Sequence, residues 1–237
     1  MSAAQFLVIG KLPTEMTIES FAQNSGEWMD SYLVTYNDNV QSQDTFYFLS
    51  SGMISLYDLD PTIYKPGWYF PDGEYMPDVE RGIQKTALPY TQGCVIVGAT
   101  SAGVDLTSAG EVSTDTYEIV IDQDARRMTG NTLPRTIDIG EIQQIGGEWM
   151  DSYLVTYNDN VQSQNTYYYL SESMISLYDL DPTIYKPGWY FPDGEYMPDV
   201  EQGVQKVPFA PGQGFVIVGA TSAGVTIRFP KAIPDAE

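Results

Sequence analysis

The sequence DLDPTIYKPGWYFPDGEYMPD occupies residues 58–78, and the same 21 letters occur again at residues 179–199. Outward from this stretch, residues 26–85 match residues 147–206 at an offset of 121, with seven differences in 60 positions. The differing pairs are Asp44/Asn165, Phe46/Tyr167, Phe48/Tyr169, Ser51/Glu172, Gly52/Ser173, Arg81/Gln202 and Ile83/Val204. Repeats of this length can each hold a core, so we predict two tandem homologous domains, at residues 1–114 and 115–237.

Short alternating runs of aromatic and β-branched residues recur within each copy. In the first copy they are SYLVTY (31–36), TFYFL (45–49), MISLY (53–57), GWYF (67–70) and CVIVGA (94–99), and TYEIVI (116–121) lies between the copies. Turn formers such as DLDP, KPG and PDG separate these runs. The pattern is typical of antiparallel strands, so we predict an all-β protein with a β-sandwich or small barrel in each copy. Residues 17–23 and 138–144 are each predicted to form one turn of helix.

Two of the differences bear on burial. Phe46 and Phe48 lie two residues apart, on one face of their strand, and both are Tyr in the second copy. An unpaired hydroxyl costs about 1–3 kcal/mol in a dry core, so this face is predicted to reach water or a partner. Tyr47 and Leu49 are then the better core candidates.

Charge and composition exclude several classes of function. Acidic residues number 32 against 11 basic ones, a net charge of −21, which disfavours nucleic acids and anionic membrane surfaces. Apolar runs are too short for a membrane helix, so no membrane insertion is expected. The N-terminal sequence MSAAQFLVIGKLP has no basic segment, and no signal peptide is predicted from it.

The residues that most catalytic and zinc sites require are scarce. The chain has no histidine, and its single cysteine, Cys94, lies in an apolar run and is predicted to be a core residue. Nucleophilic triads therefore lack their usual base. We predict a protein that is not an enzyme and that needs no cofactor.

The repeated carboxylates are candidate oxygen ligands for calcium. They are Asp58, Asp60, Asp72 and Glu74, with Asp179, Asp181, Asp193 and Glu195 in the second copy. The alternative is turn chemistry, because Asp-Pro and Pro-Asp-Gly are turn sequences in which the Asp side chain bonds nearby backbone. Turn chemistry is the favoured interpretation, with calcium second and acid–base catalysis third.

Repeated aromatic residues are candidates for a glycan platform or a protein interface. They are Trp28, Trp68, Tyr69, Trp149, Trp189 and Tyr190. The alternative, that Trp68 and its counterpart fill the core of a β domain, is favoured over ligand binding.

Three sequence segments carry a resemblance to a group of known proteins. GNTLPRTIDIGEI (130–142), GWYFPDG (67–73 and 188–194) and PGQGFVIVGA (211–220) are similar to the tandem β domains of bacterial secreted and surface proteins. The resemblance implies a non-catalytic, extracellular domain. The first copy departs from it, with IGKLP in place of GNTLP and YTQGCVIV in place of PGQGFVIV.

These observations together predict a structural subunit of an extracellular, cell-surface or filamentous assembly. A virion protein, such as a capsid decoration or fibre, is the alternative, and a glycan-binding module is the rival from a different class. Copies of the chain are the expected partners. We predict a head-to-tail contact in which residues 2–10 or 227–236 of one chain complete a sheet of its neighbour.

Overall fold

The structure is a computed structural model, and it describes residues 6–9, 16–36, 43–88, 94–98, 106–108, 116–131, 133–157, 164–220 and 224–231. Within these ranges the protein is all-β, with antiparallel sheets and two short α-helices. The prediction of fold class is confirmed.

The first half contains short strands and one helix. In chain order they are β1 (Phe6–Ile9), β2 (Met16–Thr17), β3 (Phe21–Gln23), β4 (Ser31–Tyr36), β5 (Gln43–Leu49), α1 (Ser51–Leu56), β6 (Gly67–Tyr69), β7 (Ala87–Leu88), β8 (Cys94–Gly98) and β9 (Leu106–Ser108). A single 3₁₀ turn, Ile18–Ser20, precedes β3.

The second half has a similar series. It comprises β10 (Tyr117–Ile121), β11 (Arg126–Gly130), β12 (Ile137–Asp138), β13 (Gln143–Ile145), β14 (Ser152–Tyr157), β15 (Gln164–Leu170), α2 (Glu172–Leu177), β16 (Gly188–Tyr190), β17 (Pro208–Phe209), β18 (Gly214–Gly219) and β19 (Val225–Phe229). A 3₁₀ turn, Ile139–Glu141, precedes β13. The two predicted helical turns are therefore confirmed.

The main sheets of the two halves have corresponding strand orders. The first is β1-β8-β4-β5-β6 and the second is β11-β18-β14-β15-β16. All neighbouring strands in both sheets are antiparallel. Strands that lie 121 residues apart in the sequence therefore occupy corresponding positions in the two sheets. The domain boundary at residues 114/115 stays a prediction.

Each main sheet buries both of its faces. In the first sheet Leu33, Phe46 and Ile96 point into one cluster of buried residues. The alternate residues Val34, Val95 and Val97 form a separate buried cluster on the opposite face. This is the period-2 pattern of a strand covered on both sides.

One side chain packs against the valine clusters of both halves. Met128, on β11, packs against Val34, Val95 and Val97 of the first sheet. It also packs against the equivalent cluster of the second sheet, which consists of Val155, Val216 and Val218. The valine faces of both sheets thus share one methionine.

The prediction of a strand at MISLY is wrong. Its residues lie in α1 and α2, because Ser50 and Ser171 act as helix N-caps whose side chains accept hydrogen bonds from the amides of Met53 and Met174. The buried pair Met53 and Ile54 then faces the core while the residues that follow stay exposed.

The prediction that the face of Phe46 and Phe48 reaches water is wrong at Phe46, whereas Phe48 is half-buried. Phe46 and its counterpart Tyr167 are 0% and 3% exposed, and Tyr169 is 8% exposed. The substitution keeps the ring packing, since Phe48 and Tyr169 each contact a Trp ring at 5.3 Å. Burial raises the pKa of the Tyr169 hydroxyl, and the nearby Glu172 raises it further. Leu49 is buried as predicted, but Tyr47 is only half-buried.

Where the structure describes them, the terminal segments predicted to reach a neighbouring chain are largely paired within their own chain. β1 pairs with β8, and β19 lies between β10 and β13. The other parts of those segments, residues 2–5, 10 and 232–236, lie outside the described residues. Intermolecular strand exchange at these termini would require the pairs already made to open.

Candidate functional site

In each half, the repeated sequence forms a compact segment at the edge of the main sheet. We call residues 51–83 and 172–204 the acidic lobes. Each lobe begins with its helix, passes through the DLDPTIYKP loop, contributes the edge strand β6 or β16, and ends after a hairpin-like turn. Residues 53–80 and 174–201 are identical in sequence.

The first loop of the lobe is held by aspartate side chains bonded to backbone. Asp58 has a left-handed backbone, with φ 52°, directly after α1. The Oδ1 atom of Asp60 accepts hydrogen bonds from the Thr62 amide at 2.8 Å and from the Thr62 hydroxyl at 2.7 Å. These bonds lower the pKa of Asp60. Asp181 makes the same bonds to Thr183, with the same lowered pKa.

The second loop presents an exposed tyrosine on a strained backbone. Oδ1 of Asp72 accepts from the amides of Glu74 and Met76, both at 2.8 Å. Between them Tyr75 adopts φ 62°, a conformation that is uncommon for a bulky residue. Its side chain is 64% exposed. Strain of this kind, about 1–3 kcal/mol, persists only where neighbouring bonds enforce it.

A tryptophan from outside the lobe fixes this turn. The indole N–H of Trp28 donates to the carbonyl oxygen of Tyr75 at 2.6 Å. In the second half Trp149 donates to Tyr196 in the same way at 2.7 Å. Trp28 and Trp149 are therefore positioning residues that hold the tyrosine turn, and both are half-buried.

The other predicted aromatic residues lie in the core. Trp68, Tyr69, Trp189 and Tyr190 are at most 2% exposed. The Tyr69 hydroxyl donates to the carbonyl oxygen of Lys65 at 2.8 Å, and Tyr190 does the same to Lys186. These four residues therefore pack in the core, which was the interpretation favoured from the sequence.

The predicted carboxylates lie mainly in turns. Asp193 is half-buried, and the other seven are exposed: Asp58, Asp60, Asp72, Glu74, Asp179, Asp181 and Glu195. Across the described ranges, no three His, Cys, Asp or Glu residues lie close enough together to hold a metal ion. Calcium binding by these loops stays a prediction.

Half-buried aromatic rings form a row beside each lobe, in which a predicted tryptophan is joined by two tyrosines that were not among the predicted site residues. The rings of Trp28 and Tyr47 are 5.5 Å apart, and those of Tyr47 and Tyr32 are 5.7 Å apart. The second half repeats the row with Trp149, Tyr168 and Tyr153. Burial raises the pKa of Tyr47, and Tyr32 and Tyr75 raise it further. The alternation of SYLVTY with TFYFL places these tyrosines on one sheet face, which is the signal that could have revealed the row.

The acidic lobes carry most of the exposed large hydrophobic residues among those that the structure describes. Ten of the twelve lie there; Val120 and Ile145 are the others. The ten are Leu56, Tyr57, Ile63, Tyr75, Leu177, Tyr178, Ile184, Tyr196, Val200 and Val204. Fold stability does not require an apolar residue at a position that is more than half exposed, as Leu56 and Ile63 are.

Each lobe also has a groove of about 500 Å³ in the first copy and about 490 Å³ in the second. In the first lobe the groove is lined by Ile54, Leu59, Tyr64 and two prolines, together with Asp58 and Lys65. The second groove has the same lining except that Glu172 replaces Ser51. The groove and the exposed Leu56 and Ile63 belong to the same short stretch of chain.

Charge within the lobes is strongly negative. Residues 51–83 contain six acidic and two basic residues, and residues 172–204 contain seven and one. The basic side chains are engaged inside the lobe: Lys65 donates to the carbonyl oxygen of Pro61, and Arg81 lies 3.5 Å from the centre of the Phe70 ring. The exposed apolar residues therefore lie in a region of net negative charge.

Two further features limit the chemistry of the chain. Cys94 is buried in β8, as predicted, and burial raises the pKa of its thiol to about 12. Of the helices in the described part of the chain, neither is long or apolar enough to cross a bilayer.

Comparison with known proteins gives no relative. No protein-family model matches the sequence, and no curated protein or solved structure matches it.

Proposed function

We propose that this protein is a non-catalytic structural subunit of an extracellular, cell-surface or virion assembly, and that its two acidic lobes dock onto neighbouring subunits. The observation that supports this most is the concentration of exposed apolar side chains on two lobes that are identical in sequence at residues 53–80 and 174–201. Exposed apolar surface of this kind marks interaction sites.

The aliphatic residues favour a protein partner over a sugar. Leu56 and Ile63 are 63% and 55% exposed. Aliphatic side chains gain free energy by leaving water at a protein interface, whereas a sugar ring is recognised mainly by stacking on flat aromatic rings.

Light scattering tests the assembly role. Because the charge of −21 per chain opposes contact between copies, association of the 26.4 kDa chain should strengthen as salt or calcium screens it. The matched variant replaces Leu56, Ile63, Leu177 and Ile184 by Ser and should stay monomeric. A wild-type chain that is monomeric at every salt and protein concentration contradicts homo-oligomerisation.

Glycan binding is a second candidate, favoured by the row of Trp28, Tyr47 and Tyr32. A neutral oligosaccharide stacked on this row should change tryptophan fluorescence, and Tyr47→Ala with Tyr168→Ala should remove the change. A response that is unaltered in this double variant would count against the site.

A further inference from the structure

The groove in each lobe has a largely apolar lining and opens at the surface. Its charged and proline positions, Asp58, Pro61, Lys65 and Pro66, are exposed, so it is open at the surface. Ile54, which is 7% exposed, and the half-buried Leu59 and Tyr64 supply its apolar lining. Well-packed interfaces concentrate their binding energy where an apolar anchor fills such a depression.

Two exposed apolar residues of the lobe are sequence neighbours of the groove lining. Leu56 follows the groove residue Ser55, and Ile63 precedes the groove residue Tyr64. Both are more than half exposed. A partner that places an anchor in the groove would therefore have further apolar side chains of the same lobe to contact, and burying them would exclude water.

The net negative charge of the lobe determines which kind of partner it favours. Six acidic residues against two basic ones in the first lobe, and seven against one in the second, repel an acidic surface. A second copy, at −21, is therefore opposed by long-range repulsion at low salt, and phosphate-rich ligands are opposed likewise. A positively charged partner gains in both encounter rate and affinity.

We propose that each acidic lobe binds a basic segment of another protein, which places an apolar side chain in the groove and its Lys or Arg side chains against the lobe carboxylates. The inference rests on the proposed function and names the partner chemistry. With one site in each half, the chain is bivalent. Two sites on one chain raise the apparent affinity for a partner that carries two such segments.

The two sites differ at one groove position. Glu172 occupies the place of Ser51, so the second groove has one more carboxylate in its lining. An exposed charge pair is worth about 0.2–1 kcal/mol. The second site should therefore bind a basic segment up to about fivefold more tightly than the first.

Selection from a random 12-residue peptide library displayed on phage tests the proposal at low salt. We expect the enriched peptides to be basic and to share an aromatic or aliphatic anchor. The most enriched peptide, made synthetically, should bind two per chain by calorimetry and weaken as salt is raised. Enrichment of neutral or acidic peptides, or of no peptide, would overturn the proposal.

Matched variants locate the sites. Ile63→Ser should remove the first site and Ile184→Ser the second, each weakening binding by about tenfold or more. Val120→Ser, an exposed apolar residue outside the lobes, should change nothing. Binding that survives the double variant Ile63→Ser, Ile184→Ser contradicts the assignment.

Exchanging the one groove residue that differs, Ser51 or Glu172, tests the contribution of charge to binding while the rest of the groove stays the same. Ser51→Glu should raise the affinity of the first site to that of the second, and Glu172→Ser should lower the second to that of the first. Affinities that do not respond would show that the carboxylates take no part. If the chain assembles in salt but binds no basic peptide, this inference fails and the structural role stands; if neither occurs, both fail.

Discussion

Trp68 and Trp189 occupy the same position in the two halves and make the same contacts. Each is 0% exposed, and each indole N–H donates to a carbonyl oxygen, Phe21 at 2.8 Å and Ile142 at 2.7 Å. Each therefore fills the core and satisfies a backbone acceptor where the 3₁₀ turn meets β3 or β13.

Trp68→Phe should lower the free energy of unfolding by about 1–3 kcal/mol, because a buried hydrogen bond is lost and some volume is left empty. Trp189→Phe should cost the same to within about 0.5 kcal/mol, since the geometry is repeated. Urea denaturation of the two variants provides the comparison. A large difference between them would show that the two cores are not equivalent.

Glu141 makes the stability of the second half depend on pH. Its carboxylate accepts from both terminal nitrogens of Arg135, at 3.1 and 2.7 Å, and these bonds lower its pKa below the usual value of about 4.3. A lowered folded-state pKa contributes stability that is present above the unfolded pKa and is lost as pH falls through the folded one.

Unfolding free energies measured between pH 7 and pH 3 should therefore fall less steeply for Glu141→Gln than for the wild type. The corresponding residue of the first half is Ser20, so Ser20→Ala should leave the slope unchanged. An identical slope in Glu141→Gln would show that the ion pair does not couple to folding. Asp60, Asp181 and Asp199 also have lowered pKa values, so some slope should remain in this variant.

At the scale of the element, the turn between β10 and β11 closes over the end of β18. The amide of Gly219 donates to the carbonyl oxygen of Ala125, and the amide of Asp124 donates to that of Gly219. A Cβ atom on Gly219 would lie 2.1 Å from the backbone oxygen of Asp122. In the first half, no described atom lies within 4 Å of the equivalent position on Gly98.

Gly219→Ala should therefore destabilise the protein by about 3 kcal/mol or more, since backbone must move to admit the methyl group. Gly98→Ala is the matched control and should change stability by no more than about 0.5 kcal/mol. Thermal and urea denaturation of both variants would check this. Equal costs would show that the backbone oxygen of Asp122 is not what excludes a side chain at Gly219.

The sequence predicted most strands because SYLVTY, TFYFL and CVIVGA are short runs rich in β-branched and aromatic residues, bounded by turn formers. MISLY is also a short apolar run, but it forms a helix because the preceding serine caps the helix N-terminus. Burial of Phe46 was not predictable from a Phe-to-Tyr difference, because a tyrosine ring packs as a phenylalanine ring does. The aspartate turns were predicted from Pro and Gly spacing, whereas the groove and the row of Tyr32 and Tyr47 depend on tertiary contacts.

At the scale of the whole molecule, Met128 links the valine faces of the two main sheets. Replacing it by Ala removes apolar contact from both clusters at once. The expected loss is about 1–3 kcal/mol, less than for a fully buried methionine, because Met128 is half-buried.

Calorimetry of Met128→Ala should show a broader thermal transition than the wild type, or two transitions, because the two halves unfold less cooperatively. Arg126→Ala, at an exposed position on the same strand, is the control and should leave the peak shape unchanged. A single sharp peak in Met128→Ala would show that other contacts couple the halves.

The identity of β4 and β14 also affects the route by which the chain reaches its fold. Both strands read SYLVTY, and each lies between strands that bond it in the same register. During refolding from denaturant, either strand satisfies the neighbours of the other, so the search includes misassembled species in which the halves have exchanged strands. On the ribosome the first copy emerges and folds before its duplicate exists, and synthesis therefore avoids a kinetic trap that dilution from urea does not.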